Sequence, residues 1–546
     1  MMNGAEYIVD QLVRQGVRDV FGIPGGVILE LLYAFHARRQ EIAPHLCAHE
    51  QAAGFAANGY AQASGGLGLA YATRGPGFTN LITAMADAYC DSIPVLYLSA
   101  HAAGLPVGAM RVTADQEIDS CRMVRNITKY AARVDSTADL PRELGKACFL
   151  ALEGRPGPVF LDISTRVLEA SCPAVPLEAE PAGEPAGKPE AALRETDAAL
   201  SGARRPVLLL GDGINQARMQ KVTKRLIEKL KIPVLSSRYA HNLAGASPYY
   251  FGYVGSHGTR AANFILSKTD LVISLGNRLH FPTGSASFRS VPEQARILRF
   301  DIDPEEFRRD IPNALNFRCD IRNLLPAMLE HPFPARQDDG WVRCCREIRD
   351  RLEGFDDTEA VRTLRTRLER LPSGSLVVCD VGNNEFRVSQ ACVAARSEHR
   401  VLYSKSFGAL GCALGKAVGA WYASRKPVLC IAGDQGLQFN IQELQTLVQN
   451  GCEVHVLVLD DRCSGMIRDR ERDRYQGRYV HTTRASGYGA PDFEKVFQAY
   501  GLDRTAYSIV PLDETEGLSP SLPKGNPIQK MVPELEQGLY NYLDQL

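Results

Sequence analysis

Two acidic clusters have the spacing most suggestive of chemistry. Asp434 stands in Gly433-Asp434-Gln435-Gly436 and Asp461 in Leu459-Asp460-Asp461-Arg462, twenty-seven residues further on. Each follows an apolar run, Pro427 to Ala432 and Val454 to Leu459, which reads as a buried strand. Between them Asn440 to Gln449 has helical spacing. The pattern predicts two parallel strands joined by a crossover helix, with a carboxylate beyond the end of each strand. Ligands bind in crevices of that kind. Two hard oxygen donors suit Mg²⁺, which is usually shared with a phosphate.

A second stretch, far from the first, carries a more specific signal. It reads His49-Glu50-Gln51-Ala52-Ala53-Gly54-Phe55-Ala56-Ala57-Asn58-Gly59-Tyr60-Ala61. Arg74-Gly75-Pro76-Gly77-Phe78-Thr79-Asn80 and Asp87-Ala88-Tyr89-Cys90-Asp91-Ser92-Ile93-Pro94 follow, then Gly154-Arg155-Pro156-Gly157-Pro158 and Asp162-Ile163. This succession resembles the thiamine diphosphate (ThDP) enzymes, and within them the large catalytic subunit of acetolactate synthase, from about Glu6 to about Gly501. The two acidic clusters resemble the same family's Gly-Asp-Gly … Asn-Asn signature. Gln435 stands for the second Gly, and Asp460-Asp461 for the Asn pair.

The resemblance assigns roles. Glu50 becomes the carboxyl beside the cofactor's pyrimidine, driving the tautomer that removes the thiazolium C2 proton. Its neighbours Ala52, Ala53, Ala56 and Ala57 are small, which suits close packing on a cofactor or a partner subunit. Leu410, in Ser404-Lys405-Ser406-Phe407-Gly408-Ala409-Leu410-Gly411, takes the place of the wedge that bends the cofactor. Met is usual there, and Leu has similar volume. Gly408 and Leu410 would hold the aminopyrimidine through their backbone. Asp434 and Asp461 would bind Mg²⁺ with the Cys463 carbonyl. Gly433, Gln435, Gly436, Gly465 and Met466 would surround the diphosphate, which a helix N-terminus favours. Asn383, Asn384 and Glu385 replace the family's Gln-His-Gln; Asn can donate similar hydrogen bonds, an ionised Glu cannot. Gly25 and Asn80 are further cofactor contacts.

On the substrate side Gln116 and Lys129 match a donor-site Gln and Lys, and His101 stands where the family has Gln. Arg470 stands where a tryptophan shapes the acceptor pocket, which would favour an anionic or polar acceptor. Acetolactate synthases also bind FAD, without using its redox chemistry. Arg155, His257, Arg278 and Asp301 match those contacts, while His280-Phe281 replaces an acidic pair.

These residues need scaffolds. A chain of 546 residues exceeds one core. Strand-like and helix-like runs alternate, as in Tyr7–Arg14, Val20–Ile23, Gly68–Thr73, Val95–Ser99, Pro206–Gly213, Leu271–Gly276 and Leu376–Gly382. The expected fold is α/β: three doubly wound parallel-sheet domains of the ThDP enzyme type. The expected boundaries are a pyrimidine-binding domain at 1–170, a proline-rich linker at 171–190 and a central Rossmann-like domain at 191–335. A charged linker at 336–358, a diphosphate-binding domain at 359–508 and a tail at 509–546 follow.

Composition narrows the class. Lys and Arg number 62 against 63 Asp and Glu, so no basic excess marks a nucleic-acid surface. Fourteen cysteines without CxxC pairs read as reduced thiols. There is no signal-like n-region and h-region, and no apolar run of membrane-spanning length, so a cytoplasmic location is expected. The implied activity is ThDP- and Mg²⁺-dependent carboligation: a 2-oxo acid, most simply pyruvate, loses CO₂ and the acyl unit passes to a second carbonyl. The implied assembly is a homodimer or homotetramer. A simple decarboxylase, a non-catalytic protein keeping the fold, and a flavin-linked oxidase are the alternatives. The first often uses adjacent histidines, and no His-His pair occurs.

Overall fold

The computed structural model describes residues 2–102, 111, 114–178, 187–255, 257–279, 291–292, 294–334 and 340–513. The chain divides into two compact units. One comprises Met1–Gly183, Gly374–Asn384 and Val401–Glu514; the other comprises Glu184–Ser373, Glu385–Arg400 and Thr515–Leu546.

The first unit holds two parallel sheets. One has the order Ala43–Leu46, Asp19–Gly22, Gly68–Tyr71, Val95–His101, Val159–Ser164, Tyr130–Val134. The other has the order Val401–Leu402, Leu376–Cys379, Val428–Gly433, Val454–Asp460, Tyr507–Pro511. Their central strands are buried along nearly their whole length, as in parallel sheets covered on both faces. The expectation of two parallel strands ending in carboxylates is met: Gly433 pairs with Leu459, and helix Glu443–Asn450 lies in the crossover between them. In both sheets the chain runs outward one way and then returns to the other side of its first strand. That places topological switch points beside Gly22 and Tyr71, and beside Cys379 and Gly433.

Helix Glu50–Ser64 is buried along nearly its whole length. It packs closely on helix Ala413–Ser424 of the same chain. A Cβ on Gly419 would sit 1.8 Å from the Ala56 carbonyl oxygen, one on Gly59 2.2 Å from that of Lys416, and one on Gly415 2.7 Å from that of Ala52. Only glycine permits this backbone approach, and any larger residue would overpack it by about 1–3 kcal/mol.

The second unit holds the parallel sheet Tyr250–Tyr253, Val234–Ser236, Pro206–Leu210, Leu271–Leu275, Arg296–Asp301, Ala314–Arg318. Its switch point is closed by glycines: a Cβ on Gly211 would lie 2.1 Å from the Gly276 carbonyl oxygen.

Several expected boundaries move. The stretch expected as a charged linker, 336–358, contains helix Gly340–Leu352, with Trp341, Val342, Cys344, Cys345, Ile348 and Leu352 buried. Its apolar positions recur at helical spacing among charges, and Trp341 Nε1 donates to the Pro206 carbonyl at 3.1 Å. Helix Glu359–Glu369, expected in the third domain, belongs to the second unit. The expected linker 171–190 begins with Ser171–Cys172 paired antiparallel to Met2–Asn3, and 179–186 lie outside the described residues. The tail expected from 509 starts inside the strand Tyr507–Pro511, and 514–546 lie outside the described residues.

Candidate active site

Glu50 opens helix Glu50–Ser64, with the His49 ring accepting the Gln51 N–H at 3.1 Å as cap. Asn80, on helix Pro76–Asp91, donates from Nδ2 to Glu50 Oε2 at 2.9 Å and so orients the carboxylate. Gly77 passes so close that a Cβ there would be 3.3 Å from Glu50 Oε1. Gln116 has φ 60°, and its backbone lies against Gly75: a Cβ on Gly75 would be 2.4 Å from the Gln116 carbonyl oxygen. A Cβ on Gly25 would lie 2.4 Å from the Thr73 Cβ. The fold therefore brings Glu50, Asn80, Gln116 and the Thr73–Gly77 turn to one switch point.

At the other switch point Asp434 and Asp461 are both buried. Burial, then the Asp461 charge, push the Asp434 carboxyl up to about 7, against hydrogen bonds from the Tyr488 hydroxyl and the Gln435 N–H. The Tyr488 hydroxyl donates to Asp434 Oδ2 at 2.9 Å. The surrounding glycines let polar side chains approach the backbone closely. A Cβ on Gly433 would meet Asn384 Nδ2 at 2.9 Å, one on Gly436 Asp380 Oδ2 at 2.6 Å, and one on Gly465 Asp461 Oδ2 at 2.6 Å. Asn383 donates to Asp469 Oδ2 at 2.9 Å, and its own Oδ1 is buried without a hydrogen bond among the described residues. Gly465 begins helix Gly465–Arg474, while Met466 is largely exposed. Two buried carboxylates, a glycine-lined cradle and an open helix start fit a divalent cation bound with a diphosphate. Among the described residues no three His, Cys, Asp or Glu side chains converge as a metal site, so backbone and diphosphate oxygens would complete the shell.

The 408–411 segment, expected to hold the aminopyrimidine as a clamp, lies beside these residues. Leu410 Cδ1 would be 3.4 Å from a Cβ on Gly436, and Gly408 has φ 68°. The Gly411 N–H donates to both oxygens of Asp380, at 3.0 and 3.1 Å. Asp380 was missed in the sequence, although it too follows an apolar strand, as Asp434 and Asp461 do. Tyr488 had no sequence signal. Asp460 pairs with Arg462 at 2.9 Å, which offsets the charge this Asp adds where the family has Asn. Glu385 pairs with Arg238 at 3.1 Å within the second unit.

The remaining site residues named from the sequence have other protein partners. His101 is 1% exposed, with Nε2 2.9 Å from Asp135 and Nδ1 3.2 Å from Asp162. Burial opposes its protonation, but the Asp162 and Asp135 carboxylates prevail and its pKa is raised. Both ring nitrogens face carboxylates, so neither is presented to a substrate. The Lys129 ammonium donates to the Glu153 and Arg155 carbonyls at 2.6 and 2.8 Å, tethering that loop. The Cys463 thiol is pushed up to about 12, by burial first and the Asp461 charge next, which leaves its carbonyl as the ligand atom to consider. Arg470 is exposed, and it is Arg468 that is buried, against Asp469 at 2.9 Å and Cys463 Sγ at 3.1 Å.

Of the FAD residues, Arg155 Nε donates to Ser92 Oγ at 2.8 Å in the first unit. In the second, His257 packs on Phe386 with centroids 4.0 Å apart, the Arg278 carbonyl accepts from Arg299 at 2.8 Å, and buried Asp301 accepts the Asp303 N–H at 3.0 Å. His280 and Phe281 lie outside the described residues.

Residues 2–123 match the family described as thiamine pyrophosphate enzyme, N-terminal TPP binding domain; 193–328 match its central domain, and 380–523 its C-terminal TPP binding domain. The chain is 32% identical to the acetolactate synthase isozyme 2 large subunit of Escherichia coli K12, over 98% of this chain and all of that one. It is 32% identical to the isozyme 3 large subunit of the same organism, over 92% of this chain and 89% of that one. It is 30% identical to the acetolactate synthase large subunit of Lactococcus lactis, over 92% and 87%. The chain belongs to the thiamine pyrophosphate enzymes, in the acetolactate synthase-like branch of that lyase and transferase family. Among the described residues no helix is long and apolar enough to cross a membrane.

Proposed function

We propose that the chain is a ThDP- and Mg²⁺-dependent carboligase that decarboxylates a 2-oxo acid, most simply pyruvate, and transfers the acyl unit to a second carbonyl. ThDP supplies a carbon nucleophile and an electron sink when bound. The protein's share is positioning and proton control. Glu50, fixed by Asn80, would hold a proton at the pyrimidine ring. Leu410 and the Gly408–Gly411 segment, tied to Asp380, would set the cofactor's bend. Asp434, Asp461 and the Cys463 carbonyl would hold Mg²⁺, and Gly433, Gln435, Gly436, Asn383, Asn384, Gly465 and Met466 the diphosphate. Gln116 would face the donor.

The observation that carries the cofactor reading is the Asp434–Asp461 pair buried at the switch point, where a divalent cation would relieve the repulsion that raises Asp434. The choice of carboligation rests on the likeness to acetolactate synthases. The pairing of Asp460 with Arg462 removes one motive for a non-catalytic reading. FAD belongs to the same proposal, and visible flavin absorbance in the purified protein tests it. So does a homodimer or homotetramer, which the exposed Phe407, Phe439, Ile467 and Tyr475 support. The test of the reaction is incubation with pyruvate, ThDP and Mg²⁺, with CO₂ measured and the organic product identified by mass spectrometry. A product with a new carbon–carbon bond supports the proposal. Acetaldehyde alone, when carbonyl acceptors are supplied, contradicts it.

A further inference from the structure

Lys416 is a fully buried lysine, inside helix Ala413–Ser424. Its ammonium lies 2.9 Å from Asp87 Oδ2 and donates to the Tyr403 carbonyl at 2.8 Å. Asp87 is itself fully buried; it accepts from Ser404 Oγ at 2.5 Å and from Asn58 Nδ2 at 2.9 Å, and the Tyr97 hydroxyl donates to Asn58 Oδ1 at 2.7 Å. Ser404 Oγ in turn accepts the Ala409 N–H at 2.8 Å. One turn along the same helix as Asp87, buried Asp91 accepts the N–H groups of Lys405 and Ser406 at 2.6 and 2.8 Å.

Tyr403, Ser404, Lys405, Ser406 and Ala409, each held by one of these contacts, all lie on the segment that carries Gly408 and Leu410. The segment departs at Tyr403 and re-enters helix at Ala413, and Lys416 joins both ends: its side chain holds the departing carbonyl, its backbone belongs to the returning helix. A buried charge pair is a poor source of net stability, because desolvation offsets its attraction; in some proteins such a pair instead specifies one conformation. The network is also nearly saturated. Asp87 Oδ1 and Oδ2 both have donors, and the ammonium has a carboxylate and a carbonyl. Burial acts to discharge Lys416, yet the Asp87 carboxylate outweighs it and the ammonium is held protonated.

We propose that Lys416, through Asp87, is a positioning residue that locks the 404–411 segment in the conformation that presents Gly408 and Leu410. This rests on reading that segment as the cofactor clamp. Lys416 touches no reacting atom.

The test compares wild type with Lys416→Met, with the double variant Asp87→Asn/Lys416→Met and with Ser404→Ala. Amide hydrogen exchange is followed by mass spectrometry on the full-length protein without cofactor. Lys416→Met leaves a bare buried carboxylate and should lower the melting temperature. The double variant removes both charges and should recover it, but not the tether to Tyr403. The expected result is that 404–411 still exchanges about tenfold or more faster in the double variant, while peptides from both sheets keep wild-type protection. Ser404→Ala should loosen the same segment, about threefold to tenfold, and it remains informative if the lysine variants do not fold. A 404–411 segment whose protection recovers together with the melting temperature, or never changes, overturns the proposal and leaves the pair as core structure. ThDP titration of the same proteins separates the two readings. Failure of wild type to bind ThDP would sink the cofactor reading, while the exchange pattern still decides what Lys416 holds.

Discussion

Asn440 donates from Nδ2 to Gln51 Oε1 at 3.0 Å, one residue beyond Glu50. The same amide nitrogen donates to the Gly411 carbonyl at 2.9 Å, one residue beyond Leu410. A single buried amide thus ties the start of the glutamate helix to the clamp segment. Asn440→Ala should leave the Gly411 carbonyl unsatisfied and destabilise by about 1–3 kcal/mol. Turnover at saturating ThDP should fall more than ThDP affinity. Asn440→Asp should be worse, because a carboxylate would face two acceptors. Equal turnover in wild type and Asn440→Asp would remove any role for the bridge.

Asp434 and Asp461 should make ThDP affinity metal-dependent. In wild type, calorimetric ThDP binding should weaken at least about tenfold when Mg²⁺ is chelated, as expected for a diphosphate held through a divalent ion. Asp434→Asn and Asp461→Ala should bind ThDP weakly with or without Mg²⁺. Unchanged metal dependence in either variant would place the ion elsewhere.

Glu443 gives the molecule a pH-dependent stability. It is fully buried, accepts the Ala48 N–H at 3.2 Å and the Thr446 hydroxyl at 2.7 Å, and burial pushes its carboxyl from 4.5 up to about 7. Its folded value lies above its unfolded one. The contribution is therefore fully present below about pH 4.5 and is lost as pH rises through about 7. Glu443→Gln keeps an acceptor for Ala48 and cannot ionise. Between about pH 5 and pH 8, wild type should lose up to about 3 kcal/mol relative to this variant. Parallel denaturation curves across that range would contradict the assignment.

What the sequence made legible was local. Apolar runs closed by an acid gave the strands before Asp434 and Asp461, and small residues around Glu50 gave a tightly packed helix. Partners distant in sequence were not legible. Tyr488 reaches Asp434 across 54 residues, and Asp87 meets Ser404 across 317. Helix Gly340–Leu352 was hidden because arginines on its outer face dominate the composition, while its buried stripe is only six residues. His101 and Lys129 were read by position alone. Their roles depend on where a side chain points, and His101 points at Asp135 and Asp162, Lys129 at two backbone carbonyls.

The central claim is that Glu50, oriented by Asn80, drives removal of the ThDP C2 proton. The direct measurement is the rate at which enzyme-bound ThDP exchanges that proton for deuterium, read by NMR after acid quench, in wild type and Glu50→Gln. The glutamine should keep the Asn80 contact and the assembly, while exchange slows by about 10²-fold or more. Equal exchange rates in the two proteins, both with ThDP bound, would contradict the account.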